Sequence, residues 1–191
     1  AYITIHGTPG EDGRLQGYFD MMRIPYSCCG VLAAAITYDK FTCNQYLKAF
    51  GVRIAESLLL RRGQSVSDEE VVEKIGLPCF IKPSLGGSSF GVTKVKTKEQ
   101  IQPAIVKAFG EAEEVIVEAV THNEFFDYDA KYNGQVDEIT PARISDELTK
   151  RVQMLTSAIY DILGCSGIIR VDYIITAGEK LNLLEVNTTP G

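Results

Sequence analysis

Apolar positions recur in two alternating periods along the chain, one helical and one strand-like, and this pattern predicts a mixed α/β protein. The clearest helix follows Ser145, a candidate N-cap, with Leu148, Val152, Leu155, Ile159 and Ile162 three or four apart, and closes at Gly164. Weaker helical patterns cover 39–50, closed by Gly51, and 98–109, opened by the Thr97/Gln100 capping pair and closed by Gly110. Pro103 is expected to bend or shorten the latter. Strands are predicted at 1–5, 79–81, 92–95, 115–117, 168–175 and 181–186. The stretch 120–143 follows neither period, carries Phe125, Phe126, Tyr128 and Tyr132, and is long for a structureless connection, which points to a lid or a disordered loop.

The last two strand patterns, IIRVDYIIT and LNLLEVNTTPG, flank the short turn AGEK. A hairpin closing on Gly178-Glu179, with a two- or four-residue loop, sets Asp172 opposite Glu185 and Arg170 opposite Asn187, all on one face. Like charges facing each other across strands cost about 0.2–1 kcal/mol at a wet site and more when buried, unless a cation lies between them. Two carboxylates and an amide oxygen form a hard-oxygen set suited to Mg²⁺. A solvated sheet face carries charges without any ligand, and the argument depends on loop length, since a change of one residue breaks the register.

FIKPSLGGSSFGV reads as strand, Gly/Ser turn and strand. Its glycines permit close backbone approach, Ser88 and Ser89 add hydroxyls and Lys82 adds a charge, a combination suited to phosphate, although a flexible hairpin has the same composition. The segment is neither a Walker loop nor a dinucleotide fingerprint, because a strand follows it. Glu118 ends the apolar strand VIV, where a carboxylate can accept from an adenine amino group, and Lys131 in FFDYDAKYNG can close over a γ-phosphate. His6 precedes Gly7 after an apolar stretch and fits either a substrate contact or a turn.

Composition narrows these choices. The chain has 191 residues, 45% of them hydrophobic, enough for one large domain or two small ones. A formal net charge of -6 without a Lys/Arg block argues against a nucleic-acid surface. No apolar run reaches the length of a membrane span, and the start AYITIHG lacks signal-peptide features. Five cysteines without C-x-x-C spacing suggest neither a disulfide framework nor a zinc ribbon, which favours a reducing compartment such as the cytoplasm. Only His6 and His122 are present, which disfavours a His-ligated transition metal.

Taken in order, HGTPGEDGRLQG, IPYSCCG, YDK, FIKPSLGGSSFGV, FFDYDAKYNG, GIIRVDY and LLEVNTTPG resemble the D-alanine:D-alanine ligases, over nearly the whole chain. The resemblance implies an ATP-grasp fold: residues 1–35 end an N-terminal α/β substrate-binding domain, 36–118 form a central lobe with the Gly/Ser phosphate loop, and 119–191 form a C-terminal lobe with the lid and the metal-binding hairpin. It also implies that two D-alanines are joined by way of a D-alanyl phosphate, with ATP as co-substrate and two Mg²⁺ ions, for which Mn²⁺ can substitute. By the same resemblance Lys40 and Lys82 contact the nucleotide phosphates, Glu118 the adenine and Lys131 the γ-phosphate. Asp172, Glu185 and Asn187 ligate metal. Ser88 and Tyr132 fasten the lid, Arg170 and the Gly191 N–H stabilise the oxyanion, and His6 lies near the first D-alanine. The family further implies a cytoplasmic homodimer serving peptidoglycan precursor synthesis. The alternatives are a D-alanine:D-lactate ligase and a catalytically silent nucleotide-binding relative; the Lys131-Tyr132 pair resembles the dipeptide-forming kind.

The chain departs from the family in three places. A preceding glutamate on a glycine-rich turn has no counterpart. Between Glu118 and FFDYD stands only AVTHNE, without the ribose-binding acidic residue, and Glu124 lies too close to the lid to serve. The chain also stops at NTTPG, within the active site. These departures lead to the expectation that segments of a longer protein are absent, with a break between Ala119 and Val120 that removes strands pairing with 115–117.

Overall fold

The computed structural model describes residues 1–85, 91–120 and 139–190. Two sheets organise them. The first is antiparallel, in the order β1-β4-β2-β3, from β1 (Ser57–Arg61), β2 (Cys79–Pro83), β3 (Thr93–Val95) and β4 (Glu114–Ala119). One face of this sheet packs on α4 (Asp68–Lys74) and α5 (Ile101–Phe109), where Leu60, Val71, Cys79, Ile81, Val95, Ile101, Ile105, Val115 and Val117 form one core. Ile81 is fully buried in the centre of it. Ile81→Ala is therefore expected to cost about 2–5 kcal/mol in denaturant unfolding; a loss below about 1 kcal/mol would mean that this core is not formed.

The second sheet pairs β5 (Arg170–Thr176) with β6 (Lys180–Asn187). Against it pack α3 (Lys40–Lys48) and α6 (Asp146–Leu163), with Cys43, Leu47, Val52, Ile159, Leu163, Leu183 and Val186 in a separate core. Thus α3, assigned to the central lobe in the sequence reading, buries its apolar side in the second core. Ser145 caps α6 by accepting from the Leu148 N–H at 3.1 Å, and Gly164 closes it at φ 61°. Thr97 and Gln100 form the expected capping box, but it opens a single 3₁₀ turn (Lys98–Gln100) that leads into α5. Pro103 falls in the first turn of α5, where its missing N–H would have had no helical partner, and the α-helix is shorter than the expected 98–109, running from Ile101 to Phe109 behind the 3₁₀ turn.

Four elements had no clear period in sequence: α1 (Arg14–Met22), α2 (Val31–Tyr38), α4 and β1. Residues 1–5, expected as a strand, are not one. They run beside the chain at 25–27, with the Ala1 amino group on the Pro25 carbonyl and the Ile3 N–H on Ser27 Oγ at 3.1 Å, but no ladder forms. The backbone at Ser27 and Cys28 in turn approaches Gly167 closely. A Cβ there would come within 2.5 Å of the Ser27 carbonyl oxygen, so only glycine permits the approach. All five cysteines are free thiols.

Among the described residues no helix is long and apolar enough to cross a membrane. Both edges of β4 are occupied, by β1 and by β2. This overturns the expectation that absent strands pair with 115–117, because those backbone groups already have partners.

Candidate active site

The β5–β6 hairpin reaches the expected pairing by a different route. Its loop has three residues, Ala177 to Glu179, with Thr176 opposite Lys180, and Gly178 and Glu179 take φ 73° and 53°. This loop alone would shift every later pair by one. A bulge between Asp172 and Tyr173 leaves Leu184 without a partner and restores Asp172↔Glu185 and Arg170↔Asn187. The loop thus has three residues where two or four were expected, and Asp172 and Arg170 face Glu185 and Asn187 as expected.

Arg170 lies between the two carboxylates. Its Nε donates to Asp172 Oδ1 at 2.9 Å, and its Nη2 donates to Asp172 Oδ2 at 3.1 Å and Glu185 Oε1 at 3.2 Å. The hydrogen bond donated to Asp172, followed by the charges of Asp172 and Glu185, raises the guanidinium pKa against the opposing effect of burial. All three side chains remain 32–42% exposed, so a ligand can reach them. Asn187 Oδ1 accepts from the Thr189 N–H at 2.9 Å, and Thr189 Oγ1 is buried with no hydrogen-bond partner among the described residues.

The first sheet contributes a buried ion pair. β2 and β4 place Phe80 opposite Glu118 and Lys82 opposite Ile116, so Lys82 and Glu118 share a face as diagonal neighbours. Lys82 Nζ reaches Glu118 Oε2 at 2.5 Å, with side chains only 12% and 10% exposed. Lys40 stands at the start of α3. Burial lowers its pKa and the Lys82 charge lowers it further, while Glu185, Glu118 and Asp39 act in the opposite direction. Lys40 therefore experiences Lys82 and Glu118 from one sheet and Glu185 from the other. This electrostatic link, the Lys82–Glu118 pair and the Arg170–Asp172–Glu185 cluster together relate six of the expected residues, Lys40, Lys82, Glu118, Arg170, Asp172 and Glu185. Asn187 adjoins them on the hairpin.

His6 does not join them. It belongs to a turn in which its Nδ1 lies 3.6 Å from Glu11, while Glu11 Oε2 accepts from the Gly7 N–H at 2.6 Å. Ser88, Lys131, Tyr132 and Gly191 lie outside the described residues, as do His122 and Glu124, whereas Ala119 and Val120, on either side of the expected break, are both described. The sequence reading missed Asp39, Ser84 and Thr189. Of these only Asp39 carried a signal, standing directly before Lys40 at the head of a predicted helix.

The donor set suits a hard cation. Among the described residues no three His, Cys, Asp or Glu side chains gather as a metal group. Two facing carboxylates and an amide oxygen would leave most of an octahedral shell to phosphate oxygens and water, which is the habit of Mg²⁺. Thr189 Oγ1, without a partner among the described residues, adds a further oxygen near Asn187 in sequence.

Comparison with known proteins places this geometry in context. The family described as D-ala D-ala ligase C-terminus matches residues 46–124 and 118–191. A D-alanine--D-alanine ligase of Bacteroides thetaiotaomicron is 83% identical, and one of Bacteroides fragilis (strain YCH46) is 81% identical. Each aligns over 217 residues, covering 100% of this chain and 67% of the relative. The crystal structure of the VanG D-Ala:D-Ser ligase of Enterococcus faecalis matches with a TM-score of 0.83 at 33% identity, over 100% of this chain and 63% of that one. By fold this is an ATP-grasp protein. More narrowly, the chain belongs to the D-alanine–D-alanine ligase family.

The chain spans about two thirds of the length of those curated relatives. Within the matched span, 217 aligned positions against 191 residues leave 26 positions with no counterpart here. The two family matches meet and overlap at 118–124, the region where the sequence reading puts the missing stretch. Beside it, a cavity of about 420 Å³ is lined by Lys48, Arg53, Glu56, Ala119, Thr176 and Asn182, among others.

Proposed function

We propose that the protein containing this chain joins two D-alanines into D-alanyl-D-alanine with hydrolysis of ATP to ADP and phosphate, as a step in making peptidoglycan precursor. What supports this reading is the buried Lys82–Glu118 pair and the Arg170–Asp172–Glu185 cluster, with Lys40 electrostatically linked to Lys82, Glu118 and Glu185, in a chain of this family. A carboxylate is a poor acyl donor to an amine, and transfer of the γ-phosphoryl group to it creates a good leaving group. Lys40 and Lys82 would hold the phosphates and offset their charge, Lys82 exchanging part of its contact with Glu118 for phosphate oxygens. Glu118 would accept from the adenine amino group. Asp172, Glu185 and Asn187 would hold Mg²⁺, which supplies charge neutralisation on the transferring phosphoryl group. Arg170, released from those carboxylates, would face the oxyanion of the tetrahedral intermediate together with the Gly191 N–H. Lys131, Ser88 and Tyr132 would close the lid that keeps water from the acyl phosphate, and His6 would lie toward the first D-alanine. A cytoplasmic homodimer is part of the same proposal.

Competition between acceptors tests the product. With ATP, Mg²⁺, D-alanine and an equal concentration of D-lactate near neutral pH, the full-length protein is expected to form the dipeptide with little depsipeptide. Predominant depsipeptide would replace this reading with the D-lactate alternative, and the absence of any ADP release would favour the silent relative.

A further inference from the structure

The nucleotide reading requires Lys40 and Lys82 to meet one triphosphate, yet the two lysines lie on elements with different cores, α3 in the second and β2 in the first. Something must fix their relative position, and a small set of contacts does this directly beside both. Asp39 is the N-cap of α3, and its Oδ1 accepts from the Thr42 N–H at 2.9 Å. The same oxygen accepts from Ser84 Oγ at 3.1 Å. The Lys40 N–H donates to the Ser84 carbonyl oxygen at 3.4 Å, and Asp39 and Leu85 form an isolated antiparallel bridge.

Ser84 is fully buried and follows Lys82 by two residues. Its N–H donates to the Glu114 carbonyl oxygen at 2.9 Å, which continues the β2–β4 ladder past the end of the strand. It is therefore held rigidly with the sheet that presents Lys82, while its hydroxyl holds the residue just before Lys40. A helix cap alone does not require this arrangement, since the Thr42 N–H by itself satisfies the cap. Using one carboxylate oxygen for both the cap and the cross-core bond ties the start of α3 to the end of β2.

We propose that Asp39 and Ser84 are positioning residues that hold Lys40 and Lys82 at the spacing required by the nucleotide phosphates. This rests on the assignment of both lysines to the nucleotide in the proposed function. Neither Asp39 nor Ser84 touches the reacting atoms; each acts through a lysine.

The test uses the full-length protein and two variants that remove the link by different routes. Ser84→Ala deletes the hydroxyl with little change in volume. Asp39→Ser keeps a good N-cap for Thr42 but is too short to hold Ser84 as well. Each is expected to raise the KM for ATP and the Kd for ADP·Mg²⁺ about tenfold, with the KM for D-alanine unchanged within about twofold. The double variant should be no worse than either single one, and Ser84→Thr should restore nucleotide affinity. A merely structural role would lower the melting temperature and the active fraction and leave both nucleotide constants unchanged; that result overturns the proposal. Lys40→Ala and Lys82→Ala, measured alongside, separate this from failure of the underlying reading. Weak nucleotide binding in the lysine variants with normal binding in the link variants refutes the link alone. Normal binding in the lysine variants, or no nucleotide binding by the wild-type protein, refutes both.

Discussion

Glu185→Gln is expected to lower turnover by at least about 100-fold, since groups that merely support a metal ligand already account for about 10–100-fold in affinity or activity. The substitution keeps the shape and an oxygen donor but removes one of the two negative charges that would face the cation, so the loss should be greatest at low Mg²⁺. Stability should hardly change. The Glu185 carboxylate is 35% exposed and its hydrogen bond to Arg170 is 3.2 Å long, a pair worth about 0–1 kcal/mol after solvent screening. Steady-state kinetics over a Mg²⁺ titration, together with a melting curve, checks both halves. Wild-type turnover in the variant would remove the hairpin from the chemistry.

The Lys82–Glu118 pair should behave in the opposite way, with a large effect on folding as well as on catalysis. Glu118→Leu leaves the Lys82 ammonium nearly buried and without its partner, close to the positive charge of Lys40. Breaking a buried pair on one side costs about 3–5 kcal/mol, and replacing both members with apolar groups is often neutral or better. Glu118→Leu is therefore expected to lower the unfolding free energy by that amount, whereas Lys82→Met combined with Glu118→Leu should recover most of it. The double variant should nevertheless bind nucleotide poorly, because stability returns without the charge. Denaturant unfolding of the single and double variants tests this; equal destabilisation in both would mean that the two charges are not coupled.

The contrast between these two sites also shows what the sequence could reveal. The long helix α6 was legible because its cap at Ser145, its apolar spacing and its stop at Gly164 all point to one element. The facing of Asp172 and Glu185 was legible as well, although the three-residue loop and the bulge each differ from the turn assumed, and their one-residue offsets cancel. A bulge carries no local signature in LNLLEVN, so that cancellation could not be foreseen. β1, SLLLR, is uniformly apolar at its centre and shows no alternation; it forms a strand only because β4 pairs with it. α1 begins at Gly13 without a side-chain cap and carries Gly17 within it, which conceals a helix that packing supports. The Asp39–Ser84 contact joins residues 45 positions apart, and no spacing rule reaches that far. Lys82 and Glu118 could each be singled out as charges at the ends of apolar strands, but their pairing required the β2–β4 register.

The central claim is that a carboxylate is activated by phosphoryl transfer before an amine attacks it. D-Alanine labelled with ¹⁸O in its carboxylate, incubated with full-length protein, ATP and Mg²⁺, tests this directly. The peptide bond forms by expulsion of phosphate that retains one carboxylate oxygen, so one ¹⁸O should appear in inorganic phosphate for each dipeptide made, with ADP as the other product. Label appearing in AMP, or unlabelled phosphate accompanying dipeptide, would contradict the claim.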